Sequence, residues 1–220
     1  LKFYFQPVSH NHPERPPLKG YGQARIVGGG SSINGELANR GTPEDYEEWA
    51  ALGAPGWDWA GVLPYFRKLE TDHDYRGDLH GADGPIDIHR VPEEGWPGFT
   101  RAAAAAFALE GLGNIGDQNG RFEDGWFPVA ISADRTQRRS AAMGYLTGEV
   151  RARPNLTIRA NTKVERLLVE DGRATGIVAE GERIAARRVI VCAGALQSPA
   201  LLLRAGIGPA AELRIQGRSD

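Results

Sequence analysis

The sequence predicts a mixed α/β fold, and three observations carry that prediction. An apolar run at residues 189–193 leads through Gly194 straight into an apolar helix at residues 196–204, an order of elements typical of parallel sheets. Short β-branched segments before that run predict a β-meander. Helical patterns with capping residues occupy much of residues 42–153. The chain therefore combines part of a parallel sheet, a meander and a helix-rich insert.

Composition excludes several classes of protein. The chain has 220 residues and a formal net charge of −2, and its arginines are spread out, so no nucleic-acid surface is predicted. No run approaches the ~18 consecutive apolar residues of a membrane span. The single cysteine, Cys192, excludes an internal disulfide and a cysteine-based metal site. It is consistent with a reducing compartment, and we expect a cytoplasmic, bacterial-type protein.

The candidate binding segment begins at three consecutive glycines, residues 28–30, which follow the apolar pair Ile26 and Val27. Glycines without Cβ atoms let the backbone turn tightly and approach another molecule closely. A short helix is predicted over residues 31–39, so its N-terminal N–H groups would face an anionic or electron-rich ligand. The glycines alone fit equally well a loop that needs positive φ angles.

The N-terminal region and the histidines carry weaker signals. Residues 1–23 contain four prolines and are predicted to be extended in solvent rather than packed. His10 and His12 form a pair that suits a metal, but two histidines alone do not make a ligand set, so no metal site is predicted. His80 and His89 are expected to be loop or surface residues.

Capping residues define the helix-rich insert. Thr42 before Pro43 starts one helix, Asp58 caps a second that ends at Leu69, and Ser140 caps another that ends near Val150. Further predicted elements are a helix at residues 99–112, strands at residues 85–89 and 126–132, and meander segments at residues 156–158, 164–169 and 175–179. Trp57, Trp59 and Trp96 suit a substrate cavity, although packed aromatic residues more often belong to a core.

Two separated motifs resemble the signatures of the glucose–methanol–choline (GMC) family of FAD-dependent oxidoreductases. Residues 25–34, RIVGGGSSIN, are similar to the first signature, and residues 194–202, GALQSPALL, are similar to the second. Residues 139–146 resemble the pattern between them. The resemblance covers about residues 18–213, and the two signatures in this order make it specific.

The resemblance implies part of a Rossmann-type FAD-binding sheet with a β-meander and a helix-rich substrate domain, incomplete relative to the family. Its division would be residues 1–41 for the first FAD-binding segment, 42–153 for the substrate portion and 154–220 for the second FAD-binding part. The residues it implies at the cofactor are Ile26, Val27, Gly28, Gly29, Gly30, Ser32, Asn34, Gly35, Glu36, Leu37, Val164, Ala193 and Gly194.

Two positions in the first signature refine this expectation. Some family members tether the flavin through a histidine just before the asparagine, where this chain has Ile33, so non-covalent FAD is expected. The family more often has an apolar residue at the position of Glu36. Because a carboxylate beside a flavin disfavours its anionic reduced form, either Glu36 points to solvent or the site differs.

The activity implied by the resemblance is oxidation of an alcohol CH–OH group, with hydride transfer to flavin N5 and oxygen or a quinone-type compound as electron acceptor. The family's GxGxxG fingerprint and its catalytic histidine pair, or histidine and asparagine, are expected outside this chain, so none of its residues is assigned as catalytic. Two alternatives stay open from the residues: a hydroxynitrile-lyase-type family member, and a truncated product that is inactive by itself.

Overall fold

The computed structural model describes residues 3–8 and 18–215, which form two compact units. Among these residues, the first unit ends at Leu156 and the second begins at Thr157. Both contain helices and strands, so the predicted mixed α/β class is confirmed. Among the described residues, no helix is both long and apolar enough to cross a membrane.

The N-terminal segment is extended over its described residues, as predicted, but it forms a strand pair, so the prediction that it belongs to no packed element was wrong. Strand β1 (Phe3–Val8) pairs antiparallel with β2 (Leu18–Ala24), and Phe3 lies opposite Ala24. The prolines that argued against packing fall largely between the two strands. His10 and His12 lie outside the described residues.

The candidate binding segment follows β2 and contains less helix than predicted. Only a 3-10 helix, Gly29–Ser32, forms where a helix over residues 31–39 was expected. Glu36, inside the predicted range, has φ of 67°, a left-handed conformation that interrupts a right-handed helix.

The predicted caps of the next two helices are confirmed. Helix α1 (Pro43–Ala51) follows Thr42, whose N–H donates to the Asp45 carboxylate at 2.7 Å. Helix α2 (Trp59–Leu69) begins after Asp58, whose carboxylate accepts from Gly61 N–H at 2.6 Å. These bonds satisfy N-terminal backbone groups that the helices cannot pair internally.

A three-stranded sheet supports the first unit. Strand β3 (Glu70–Asp72) pairs parallel with β4 (Ile86–Arg90), and β5 (Ala130–Ser132) pairs antiparallel with β4. Ile86, Ile88 and Ala130 form its buried apolar cluster. The strand predicted over residues 126–132 is shortened to its last three residues.

Besides a short 3-10 helix at Glu93–Gly95, three further α-helices are described in the first unit. They are α3 (Gly98–Leu109), α4 (Ala141–Tyr145) and α5 (Gly148–Arg151). One continuous helix was predicted where α4 and α5 lie. The chain divides because Thr147 caps a second helix, accepting from Val150 N–H at 3.4 Å.

The second unit contains the predicted meander followed by two helices. The strands β6 (Val164–Glu170), β7 (Arg173–Ala179) and β8 (Glu182–Ala185) are antiparallel neighbours. The helices are α6 (Gly194–Arg204) and α7 (Ala210–Ile215).

Two predicted strands of the second half are not formed. Residues 156–158 are irregular, and residues 189–193, predicted as a strand covered on both faces, lie outside any sheet. Ile190 in that run is 79% exposed. A buried parallel strand needs neighbours that pair its backbone, and none of the described segments pairs with this one.

Candidate functional site

The candidate binding segment, residues 26–37, lies on the surface of the first unit. The exposed fractions of Ile26, Val27 and Leu37 are 45%, 37% and 63%. A Cβ atom added to Gly29 or Gly30 would meet no atom within 4 Å. Apolar side chains and bare backbone are therefore presented together on an open surface, which suits contact with a flat, partly apolar ligand.

The turn that begins this segment depends on Gly28. A Cβ atom there would collide with Ser32 Oγ and approach the Cβ of Ala142 to 3.1 Å. The Ser31 hydroxyl donates to Gly28 O at 2.6 Å, and the Ser32 hydroxyl donates to Val27 O at 3.1 Å. The two serine hydroxyls therefore hold the turn from within.

The second half of the segment is held from outside by an arginine. Arg138 donates to the Asn34 side-chain oxygen at 2.9 Å and lies 3.0 Å from the Glu36 carboxylate. The Glu36 carbonyl accepts from Ser132 N–H at 2.7 Å. The sequence left the orientation of Glu36 open; in the structure its carboxylate is ion-paired. Sequence reasoning did not single out Arg138, although it directly precedes the quoted motif at residues 139–146.

The other three residues implied by the resemblance lie in the second unit. Val164 begins β6, is half-buried and pairs with Ala179 of β7. Ala193 and Gly194 are exposed at the start of α6, where Ala193 N–H donates to Ser198 Oγ at 3.0 Å. Gly194 has φ of 86°, a conformation that favours glycine. Their cofactor role stays a prediction.

A set of buried ionic residues lies beside the small sheet of the first unit, and we call it the buried charge cluster. Its members are Arg40, Glu70, Asp72, His80, Arg90 and Asp117, each at most 7% exposed. His80 was predicted to be a loop or surface residue; it lies in a loop but is buried, and its ring lies among three carboxylates.

Each cation of the buried charge cluster contacts carboxylates. His80 Nε2 lies 2.8 Å from Asp117 and its Nδ1 lies 3.2 Å from Asp72. Arg90 bridges the same two acids, donating to Asp72 at 3.0 Å and to Asp117 at 2.7 Å. Arg40 is paired with Glu70. Buried charges of opposite sign are thus matched, which burial requires.

These contacts set the protonation states of the cluster. Burial by itself would lower the pKa of His80, but its hydrogen bond to Asp117 and its close contacts with Asp72 and Glu70 raise that pKa to about 10. Burial disfavours ionisation of Glu70, Asp72 and Asp117, yet bonds from His80 and the arginines lower each carboxyl pKa. At neutral pH the cluster therefore contains three cations and three anions.

A metal ion fits this cluster poorly. Ligand atoms of Glu70, Asp72 and His80 lie within 4.8 Å of one another. A bound cation would require His80 to lose its proton, although its pKa is about 10, and would lie beside guanidinium groups that already pair the carboxylates. We interpret the cluster as a structural ion-pair network.

An open apolar cavity of about 340 Å³ lies in the first unit and includes Leu37. Trp96, Trp126 and Phe107 contribute to its wall, so one of the three tryptophans considered in the sequence does line a cavity. Trp57 and Trp59 instead belong to an aromatic cluster around α1. Leu37, the last residue of the candidate binding segment, lines this cavity.

The first unit thus presents a glycine turn on its surface, and the second contains a meander followed by a helix that begins at Gly194. Comparison with protein families shows that residues 20–216 match the family described as GMC oxidoreductase. The chain belongs to the GMC oxidoreductase family.

Two curated relatives match most of this chain, but the match covers less than half of each relative's own length. The chain is 50% identical over 226 aligned positions to 5-(hydroxymethyl)furfural oxidase of Methylovorus sp. (strain MP688), covering 98% of this chain and 43% of the relative. It is 39% identical to oxygen-dependent choline dehydrogenase of Sinorhizobium fredii (strain NBRC 101917 / NGR234), covering 89% of this chain and 36% of the relative. The chain thus spans less than half the length of these relatives.

Solved structures show the same fold. Pyridoxine 4-oxidase from Mesorbium loti superposes with a TM-score of 0.86 at 32% identity, covering 98% of this chain and 43% of that one. An FAD-dependent oxidoreductase from Chaetomium thermophilum superposes with a TM-score of 0.86 at 29% identity, covering 98% of this chain and 41% of that one.

Proposed function

We propose that the protein containing this chain is an FAD-dependent oxidoreductase that oxidises the CH–OH group of a small alcohol. Membership of the GMC oxidoreductase family supports the class. The relative at 50% identity is named for oxidation of a hydroxymethyl compound, which supports an alcohol substrate.

The observation that carries the proposal is the open, partly apolar surface of the candidate binding segment, which supports contact with one side of a flavin. Ile26 and Leu37 are exposed apolar side chains, and Gly29 and Gly30 leave the backbone between them uncovered. The turn is fixed by the internal bonds of Ser31 and Ser32, so little order has to be gained on binding. A rigid, partly apolar backbone segment of this kind is suited to contact the face and edge of the flavin ring system.

The residues proposed to hold FAD are those implied by the family signatures. In the first unit they are Ile26, Val27, Gly28, Gly29, Gly30, Ser32, Asn34, Gly35, Glu36 and Leu37. In the second unit they are Val164, Ala193 and Gly194. Ser32 would act through the turn, because its hydroxyl already donates to Val27 O.

Bound FAD supplies the hydride acceptor at N5. Alcohol oxidation also needs a base for the hydroxyl proton, and the described histidines are engaged elsewhere. His73 pairs with Asp87, His80 belongs to the buried charge cluster, and His89 contacts Ala133 O. We propose that the base comes from residues outside this chain.

Ile33 supports non-covalent attachment of the flavin. The family's tethering histidine would occupy this position, and an isoleucine side chain has no nucleophilic atom. We therefore expect the cofactor to leave the protein on acid precipitation.

The test uses the coding region that contains this chain, expressed together with its flanking sequence. Flavin absorbance in the purified protein is expected, and the flavin should remain in the supernatant after acid precipitation. Addition of 5-(hydroxymethyl)furfural, choline or pyridoxine should bleach it without oxygen. Return of the colour in air, with hydrogen peroxide, would identify oxygen as acceptor, and return only with a quinone would identify a dehydrogenase.

Three outcomes would contradict the proposal. A colourless protein that takes up no FAD would exclude the cofactor. Flavin that stays with the precipitate would exclude non-covalent binding. Cyanide release from a hydroxynitrile without flavin reduction would replace alcohol oxidation by lyase chemistry.

A further inference from the structure

We propose that Arg138 is the positioning residue of the candidate binding segment: it fixes the turn at Asn34–Glu36 and neutralises Glu36. The inference about geometry rests on contacts within the first unit. Its last step, the effect on a flavin, rests on the proposed function.

Arg138 reaches the segment through several hydrogen bonds at once. Its Nη1 donates to the carbonyl of Asn34 at 2.8 Å, to Asn34 Oδ1 at 2.9 Å and to the carbonyl of Ser31 at 3.2 Å. Its Nη2 lies 3.0 Å from Glu36 Oε1. One guanidinium therefore joins three residues of the segment, a geometry that the point charge of a lysine does not reproduce.

The turn that Arg138 holds needs such support. Glu36 has φ of 67°, a left-handed conformation that side chains with a Cβ adopt rarely. Its N–H donates to Asn34 Oδ1 at 3.1 Å, and its carbonyl accepts from Ser132 N–H at 2.7 Å. Arg138 binds the same Asn34 oxygen and the Glu36 carboxylate. The unusual residue is thus fixed through its N–H, its carbonyl and its side chain.

The charge of Arg138 has a separate consequence. The side chains of Glu36 and Arg138 are 25% and 26% exposed, so the pair is partly shielded from solvent and its charges are screened less than on an open surface. An unpaired carboxylate here would disfavour negative charge on a neighbouring ligand. With Arg138 in place, the segment carries no net charge from this pair and accommodates a flavin that becomes anionic on reduction.

Arg139 provides a matched control. It is the same residue type at the next position and is 32% exposed, but it pairs with Asp87 and Asp134. Its side chain makes none of the contacts that hold the candidate binding segment. Arg138→Met and Arg139→Met therefore remove equal charge and equal hydrogen-bonding capacity from different places.

Amide hydrogen exchange without added cofactor tests the geometric part. Arg138→Met is expected to raise exchange of the Glu36 and Ser132 amides about tenfold, the effect of losing roughly one charge-assisted hydrogen bond. Arg139→Met should leave these two amides as in the unsubstituted protein. Equal exchange in the Arg138→Met variant and the unsubstituted protein would overturn the positioning role, whatever the cofactor.

The flavin-loaded protein tests the electrostatic part. Arg138→Met should make the flavin midpoint potential more negative, and Arg138→Met with Glu36→Gln should restore it. Arg138→Lys keeps the positive charge but lacks the planar guanidinium group. This variant should therefore retain the flavin midpoint potential, while hydrogen exchange of the Glu36 amide rises. An unchanged potential in Arg138→Met would overturn this part. Failure of the unsubstituted protein to bind FAD would refute the proposed function and leave the exchange result to decide the geometry.

Discussion

Raising the pH from about 6.5 to 10 is expected to destabilise the folded chain through His80. The reference pKa of histidine is 6.5, and contacts with three carboxylates raise that of His80 to about 10. Below pH 6.5 both the folded and unfolded states hold the proton, and the stabilisation is fully present. Between the two values only the folded state retains it, so the free energy of unfolding falls with pH.

The size of this effect follows from the pKa difference. Each pKa unit corresponds to about 1.4 kcal/mol, so the full loss between pH 6.5 and 10 is at most roughly 5 kcal/mol. That amount is comparable to the ~3–5 kcal/mol cost of removing one partner from a buried ion pair. His80→Gln should therefore be strongly destabilised at pH 6 and should lose most of the alkaline slope.

The assay is urea unfolding followed by circular dichroism at half-unit pH steps from 5.5 to about 10. His73→Gln serves as the control at pH 6: its side chain is 41% exposed and pairs with Asp87, so a loss of about 1 kcal/mol or less is expected. If His80→Gln keeps the alkaline slope of the unsubstituted chain, His80 is not the titrating group and the description of the cluster is wrong.

The other predictions concern acid stability and tight packing. Because Asp72 has a lowered pKa, its stabilisation is present above pH 3.8 and lost as pH falls below it, so Asp72→Asn should flatten the acid limb of the stability curve. Gly28→Ala should cost more than Gly29→Ala in urea unfolding: both have positive φ, which costs roughly 1–2 kcal/mol, but only the Gly28 Cβ meets Ser32 Oγ. Equal losses would refute the packing argument. Asn119→Ala should cost about 2–4 kcal/mol, because its buried side chain bonds Arg40 N–H and the Ala38 carbonyl, each at 3.0 Å; a loss under 1 kcal/mol would show that water replaces both bonds.

Local signals in the sequence were sufficient for much of the fold. Thr42, Asp58 and Ser140 each precede a helix in the structure, because an N-cap bonds to backbone within three residues of itself. Strands β6 and β7 of the meander were predicted for a similar reason, since the turn at Asp171–Gly172 joins these antiparallel neighbours directly, whereas β8 was not predicted. The family was also visible in two short motifs, and the match over residues 20–216 confirms it.

Interactions between distant residues were not visible in the sequence. The buried charge cluster joins Arg40 to Asp117 through residues that by themselves suggest solvated loops. The apolar run at residues 189–193 was predicted as a strand that the structure does not form. Its composition suits a strand covered on both faces, but strand formation also depends on a neighbouring strand that pairs its backbone, and a local pattern does not reveal one.

The sequence by itself determined that residues 25–34 resemble the first GMC family signature, and that Ile33 offers no atom for a covalent flavin link. Only the tertiary structure decided how the turn is held. Arg138 lies more than a hundred positions from Asn34 along the chain, yet its guanidinium donates to the Asn34 side chain at 2.9 Å. Folding brings β5 and the residues after it beside the turn, and this proximity gives Glu36 its counter-charge.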